Sequence, residues 1–377
     1  MSDNNNNIKN RNIQNECSIL KNKYFDKSRW IQLPRDVVVG HDVLSQLPAV
    51  VADTCLQGPI LVISGKHTMQ TIGVRVLTLL TNAGYDATSL IVGEITYEEV
   101  TRVANHAKAL HSVLIVAVGG GRVIDIAKII SYNLDIQFIS VPTAASHDGI
   151  TSSRASIHTD EGSISVAAHP PLAIVADTGI LADAPRRLTV SGYADMISNY
   201  TAVLDWDLSN KKTGEKISQY AMALSMIAAE LMVERAEEIK SFDENAIWIV
   251  MKALFVSGVA MSVAGSSLPS SGGEHKFAHI LEQIAPNKVL HGEACGLGAI
   301  ISMYLHGGNW KKVRDALRLI GAPTTPKELG LTDGMVVDAV LRAHEIRPER
   351  YTIFDTGLTE ERVRKAVTAL YDIQEEK

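Results

Sequence analysis

Cysteine is scarce in this chain: Cys17, Cys55 and Cys295 are the three among 377 residues, scattered and never in C-x-x-C spacing. That excludes a disulfide framework and suits a reducing, cytoplasmic compartment. Basic blocks and aromatic–basic interleaving are also missing, and the formal net charge is −6, so a nucleic-acid partner is not expected. The N-terminus lacks the apolar core of a signal peptide. Uninterrupted apolar runs fall short of the ~18 residues that a membrane span needs, so no membrane insertion is expected. What remains is ordinary globular composition, 46% hydrophobic and 21% charged, over a length that can bury two cores.

Residues 1–29, MSDNNNNIKNRNIQNECSILKNKYFDKSR, are rich in Asn and Lys with almost no apolar periodicity. They read as a disordered or loosely docked tail. From residue 30 strands and helices alternate. Strands are expected at 30–40, 59–64 (PILVIS), 87–93, 112–119 (SVLIVAVG), 136–142 and 172–177, with helices at 67–83, 97–111 and through VIDIAKIISYN. Continuous apolar runs such as PILVIS are typical of parallel strands covered on both faces. A β-hairpin is expected over 154–167, turning at Asp160-Glu161-Gly162. Beyond about residue 185 the segments 189–206, 212–239, 243–265, 275–284, 293–306, 309–320, 333–344 and 359–373 read as helices. The expected architecture is therefore a Rossmann-like parallel α/β domain over 30–184, followed by an all-α domain over 185–377.

The densest chemistry lies in 271-SGGEHKFAHILEQIAPNKVLHGE-293, which gathers His275, His279 and His291 out of twelve histidines in the chain. His275 and His279 are four apart and share a helix face. Imidazole is the commonest protein metal ligand; one or two of these could be helix-surface or core histidines satisfied by hydrogen bonds, but the third, His291, makes a metal or active-site cluster the stronger reading. In 189-TVSGYADMISNYTAVLDW-206, Asp195 stands among Tyr193, Ala194, Met196 and Ile197. A buried carboxylate there is costly unless it is paired or holds a cation. Asp195 with His275 and His291 makes one oxygen and two nitrogen donors and leaves a position open, as in catalytic divalent sites.

Two loops complete the picture. Strand VLIVAV runs into Gly119-Gly120-Gly121 and then a helix, where free N–H groups and the helix dipole favour a phosphate. The pattern departs from G-x-G-x-x-G because Asp125 stands where the last glycine would be. The second loop, 141-VPTAASHDGITSS-153, follows the next strand and offers Thr143, Ser146, Thr151, Ser152, Ser153 and the carboxylate of Asp148 at the edge where open α/β sheets bind ligands.

The chain resembles the metal-dependent polyol dehydrogenases related to glycerol dehydrogenase and dehydroquinate synthase, and within them the branch that acts on glycerol phosphate. The motifs are LPRDVVVGHDVL (33–44), VGGGRVIDIAK (118–128), SVPTAASHDGITSSRAS (140–156), SGYADMISNYTAVLDW (191–206), SGGEHKFAHILE (271–282), LHGE (290–293), GAPTTPKELG (321–330) and AHEIRPERYTI (343–353). The resemblance implies a dehydroquinate synthase-like architecture and zinc or a similar divalent ion on Asp195, His275 and His291. It moves His279 off the metal and onto the substrate and proton path, and it places Asp148 and Asp195 at the substrate. It assigns the nicotinamide cofactor to Gly120, Gly121, Arg122, Val123, Ile124, Asp125, Thr143, Ala144, Ala145, Ser146 and Ser152. The reaction implied is hydride transfer between NAD(P)H and dihydroxyacetone phosphate, supplying the glycerophosphate backbone of membrane lipids, in a homo-oligomer.

Two points stay open within that reading. Lys276, Lys288, Arg347 and Arg350 are the basic candidates for the substrate phosphate. The early strand ends Ile63-Ser64-Gly65-Lys66-His67 without an acid to repel a 2′-phosphate, so NADPH is expected alongside NADH. The same residues also allow a dehydrogenase of unphosphorylated polyols or a non-catalytic NAD-binding protein.

Overall fold

The computed structural model describes residues 31–159, 162–286 and 288–372, and Gln32–Lys377 holds together as one compact unit. The tail of residues 1–29 and the hairpin tip at 160–161 lie outside the described residues. Six parallel strands form the main sheet: β1 (Asp36–Gly40), β2 (Ile60–Gly65), β3 (Ala87–Val92), β4 (Leu114–Gly119), β5 (Gln137–Pro142) and, after a two-stranded hairpin, β8 (Ala173–Asp177). Their order is β1-β8-β5-β4-β2-β3, and the hairpin pairs β6 (Arg154–Thr159) with β7 (Gly162–Ala167). Strands β2, β4 and β8 are buried along their whole length, as strands covered by helices on both faces must be. Edge strands β1 and β3 alternate with exposed positions.

Register decides where the loops emerge. Ile60 to Ser64 pair with Leu114 to Val118, and Leu114 to Gly119 pair with Gln137 to Pro142. Gly65, the turn at Gly119–Gly121 and the loop after Pro142 therefore leave one sheet edge side by side. The chain runs outward from β2 to β3 and returns to β4 on the other side of β2, so the strand order reverses there. Open α/β sheets bind ligands at such a reversal, beyond the carboxyl ends of the strands.

Helices α1 (Leu47–Asp53), α2 (Val74–Asn82), α3 (Tyr97–Ala109), α4 (Gly121–Leu134) and α5 (Thr178–Ala182) accompany the sheet. From Arg186 every described element is helical: α6 (Arg186–Thr213), α7 (Gln219–Glu234), α8 (Glu244–Ala264), α9 (Gly273–Ile284), α10 (His291–Leu305), α11 (Trp310–Leu319), α12 (Asp333–Arg342) and α13 (Glu360–Ala369), with short 3-10 turns between them. Helix α6 is buried around most of its circumference, including Asp195, Ser198, Asn199 and Asp205. It is the axis of the helical half, not an amphipathic surface helix.

Several expectations shift. The first strand begins at Asp36, because residues 31–35 join the sheet edge only through Arg35, whose N–H donates to the Leu172 carbonyl at 2.7 Å. The segment read as one helix from residue 212 begins at Gln219, since Gly214 ends α6 in a left-handed conformation with φ 76°. The helix expected over 67–83 contains a widened π turn at Met69–Gly73. Helix α1 was not anticipated; its apolar run is only seven residues. Helix α8, 21 residues long, is apolar enough by length and composition to cross a membrane, although Lys252 interrupts its apolar run. Of its most apolar window, 61% is buried inside the fold, as in a core helix.

Candidate active site

Helix α6 brings Asp195 to the sheet edge because two glycines let it pack backbone to backbone. A Cβ at Gly192 would collide with the Ala145 carbonyl, and one at Gly292 in α10 with the carbonyl of Ser191. The 144–146 loop, α6 and the start of α10 thus meet within one helical turn of Asp195. Helix α9 carries His275 in its first turn and His279 one turn on, while His291 opens α10.

Donor atoms of Asp195, His275, His291 and Cys295 lie within 4.8 Å of one another. The Nε2 atom of His275 stands 3.6 Å from Asp195 Oδ1, an oxygen that is buried without a hydrogen-bond partner among the described residues. Each imidazole is turned by a carboxylate behind it: His275 Nδ1 is 3.0 Å from Glu274 Oε1, and His291 Nδ1 is 3.0 Å from Glu282 Oε1. Carboxylates in that position fix the ring so that Nε2 faces inward, the arrangement that supports metal-bound histidines. An unpartnered carboxylate oxygen and two aimed ring nitrogens suit a divalent cation.

Cys295 is the donor that reading the sequence left aside. It follows His291 by one helical turn, is fully buried, and places its sulfur 3.6 Å from His291 Nε2. The i,i+4 spacing was the available signal. Burial opposes charge on His275, but Cys295 and Glu274 outweigh it and push the imidazole up to about 10. The same balance, with Glu282 in place of Glu274, raises His291. Cation binding must therefore displace protons from this cluster.

His279 lies outside the four donors yet touches them. Its ring centroid is 5.8 Å from that of His291, and its Nδ1 is 3.4 Å from Glu282 Oε2. Glu282 thus serves both imidazoles. Burial alone would raise its carboxyl, but His279 and His291 hold it far below the usual carboxylate range. Burial lowers His279 more than Glu282 raises it, so the ring is neutral near pH 7. Asp148 closes the group: its N–H donates to Asp195 Oδ2 at 3.2 Å, and its own carboxylate accepts from Ser257 Oγ at 2.7 Å. Burial first, then the nearby Asp195, raises the Asp148 carboxyl.

One cleft of about 630 Å³ joins this group to the glycine turn. Its walls include Gly65, Gly120 to Val123, Asp125, Ala144, Ser146, Asp148, Ser152, His275, His279 and His291. Asp195 and Cys295 stand just behind the wall. Thr143, Ala145 and Ile124 do not line the cleft; Ile124 and Ala145 are fully buried. Asp125 accepts from the Ser156 N–H at 2.9 Å and pairs with Lys128 at 3.1 Å, and Lys128 also holds the carbonyls of Gly149 and Arg154. The acid in the last-glycine position therefore ties the hairpin and the 149–154 loop to α4. His147 and Arg154 line the cleft as well and were not anticipated. The imidazole of His147 occupies the space a Cβ at Gly121 would need.

Of the basic candidates, Lys276 is buried and bonded to Asp355 at 2.9 Å, and Arg350 donates to the Ser271 carbonyl at 2.5 Å and to Ser267 Oγ at 3.1 Å. Lys288 is exposed and outside the cleft, whereas Arg347 lines it.

Residues 38–185 match the iron-containing alcohol dehydrogenase family. Among solved structures, glycerol dehydrogenase from Schizosaccharomyces pombe is similar with a TM-score of 0.77 at 20% identity, over 92% of this chain and 91% of that one. A probable glycerol dehydrogenase from Sinorhizobium meliloti gives 0.75 at 22% identity, over 91% and 98%. These likenesses define the class: the fold of the iron-containing alcohol and polyol dehydrogenases, of dehydroquinate synthase-like architecture. The nearer relatives narrow it. Glycerol-1-phosphate dehydrogenase [NAD(P)+] of Methanocorpusculum labreanum is 68% identical over 354 residues, 94% of this chain and 98% of the relative. That of Methanoculleus marisnigri is 55% identical over 354 residues with the same coverage. The chain belongs to the glycerol-1-phosphate dehydrogenase family.

Proposed function

We propose that this chain reduces dihydroxyacetone phosphate to sn-glycerol 1-phosphate with NADPH or NADH, reversibly, using a divalent cation, zinc by preference, held by Asp195, His275 and His291. The observation that carries the reading is the convergence of Asp195 Oδ1, His275 and His291 at one end of the cleft whose other end is the glycine turn. Membership in the family supports the reaction. A cation in that position supplies Lewis acidity where negative charge grows on the carbonyl oxygen.

The chain's own residues supply the rest. The N-terminus of α4, opened by Gly120 and Gly121, offers backbone N–H groups to the cofactor diphosphate. Gly65, with Arg122 beside it and Lys66 next in the chain, leaves room and positive charge for a 2′-phosphate, so either nucleotide is accepted. Asp148, its carboxylate already steadied by Ser257, accepts from a substrate hydroxyl. With Glu282 ionised beside Nδ1, His279 keeps its proton there, which leaves Nε2 as the acceptor of a residue that lines the cleft. In alcohol oxidation Nε2 takes the hydroxyl proton, and in carbonyl reduction the imidazolium returns it.

The cytoplasm, where the product would enter lipid backbones, and a homo-oligomeric assembly belong to the same proposal. The test is oxidation of NADPH and NADH with dihydroxyacetone phosphate, followed by the stereochemistry of the product. Turnover of unphosphorylated dihydroxyacetone in preference to the phosphate ester would overturn it, as would formation of the 3-phosphate enantiomer.

A further inference from the structure

Three arginines line the cleft, and two of them are without an acidic partner among the described residues. Arg122 is paired with Glu94. Among the described residues the guanidinium of Arg347 makes one hydrogen bond, from Nη1 to Ser271 Oγ at 3.4 Å. Among the described residues the guanidinium of Arg154 donates only to Ser165, through Nε to Oγ at 3.2 Å and through Nη2 to the carbonyl at 3.0 Å. A guanidinium has five N–H donors, so both retain donors to spare. The charge of Arg154 opposes that of Arg347, and Glu349, two residues from Arg347, attracts it without forming an ion pair. Two half-buried like charges are unfavourable unless an anion is brought between them.

The backbone around Arg347 is built to present it. Arg347 adopts a left-handed φ of 46°, a strained conformation for a residue other than glycine. The neighbouring cations hold this turn in place. Arg350 is anchored on Ser267 and Ser271, and Lys276 binds both the Arg350 carbonyl and Asp355. Ser271, the contact of Arg347, lies in extended backbone just before the helix that carries His275. Arg347 and His279 line the same cleft. An anion held by Arg347 and Arg154 would therefore sit in the cleft that His275, His279 and His291 also line.

We infer that Arg347 and Arg154 clamp the phosphate of the substrate, with Ser271 and Ser165 orienting the two guanidinium groups. This deepens the proposed function and rests on it. The three-carbon skeleton then spans from the clamp to the donor cluster, and the clamp is what separates a phosphate ester from the unphosphorylated ketone.

The test uses the full chain loaded with zinc. Inorganic phosphate is titrated into wild type, Arg347→Ala, Arg347→Gln and Arg154→Ala by calorimetry, and the kinetics of each are run with dihydroxyacetone phosphate and with dihydroxyacetone. Loss of a charge-assisted bidentate contact should raise KM for the phosphate ester ~100-fold in Arg347→Ala and ~10-fold in Arg154→Ala. The preference for the ester over dihydroxyacetone should fall by the same factors, and phosphate binding should weaken in parallel. Arg347→Gln, which keeps the side-chain volume, must show the same loss if charge is the cause. Phosphate binding and ester KM within threefold of wild type in both alanine variants would overturn the clamp. So would a rise in KM for NADPH but not NADH, since the arginines would then hold the cofactor's 2′-phosphate. A wild type that binds phosphate through these arginines yet fails to turn over the ester would instead sink the proposed reaction.

Discussion

His275 and His279 sit one helical turn apart on the same face of α9, yet their surroundings separate them. His275 is backed by Glu274 and faces the unpartnered oxygen of Asp195, while His279 shares Glu282 with His291 and stands outside the donor cluster. His275→Ala should therefore lose bound metal and nearly all turnover while keeping the wild-type far-ultraviolet circular dichroism. His279→Ala should keep one metal per chain and lose turnover roughly 10²-fold or more, the usual scale for removing a proton-transfer group. Metal analysis of the two variants decides the matter: full retention in His275→Ala, or loss in His279→Ala, would reverse the assignment.

At the level of elements, the site depends on how closely α6 approaches the loop after β5. Gly192 has no room for a side chain, because the backbone of Ala145 and Ser146 already fills it. Gly192→Ala must push α6 and that loop apart, at a cost of about 1–3 kcal/mol for overpacking. The melting temperature should fall by several degrees, and activity should fall further, since Asp195 and Ser146 move with the elements that carry them. Gly334, inside α12, has an ordinary helical φ, and an added methyl there would meet nothing nearer than 3.8 Å. Gly334→Ala should leave stability unchanged or raise it by up to about 1 kcal/mol. Equal thermal shifts in the two variants would show that helix propensity, not close approach, governs Gly192.

For the molecule as a whole, all strands precede Thr178 and the described elements from Arg186 onward are helical. We propose Ala184–Pro185 as the boundary between a cofactor-binding half and a metal- and substrate-binding half, with the cleft built from both. Gln32–Lys377 is compact by itself, and the sheet edge at β1 is completed within it. A chain beginning at Gln32 should therefore fold, bind metal and turn over at close to the full-length rate. A melting temperature several degrees lower, or a changed elution volume on a sizing column, would assign a structural part to residues 1–31.

Much of this was legible in the linear chain because the signals are local. PILVIS and VLIVAV are continuous apolar runs, the pattern of strands covered on both faces, and a glycine run between strand and helix reads as a turn. The histidine cluster was visible because His275, His279 and His291 are close in sequence. Asp195 stood out only as an acid in an apolar stretch, and the division of labour between His275 and His279 came from family resemblance, since i,i+4 spacing treats the two rings alike. Tertiary structure alone decided the remainder. It set Glu282 behind two imidazoles, turned Cys295 into the donor cluster, and occupied Lys276 and Arg350 with structural partners. It also left Arg154 and Arg347, 193 residues apart in the chain, lining one cleft without an acidic partner among the described residues. A side chain's type is written in the sequence, but whether its charge is already matched depends on neighbours that only folding supplies.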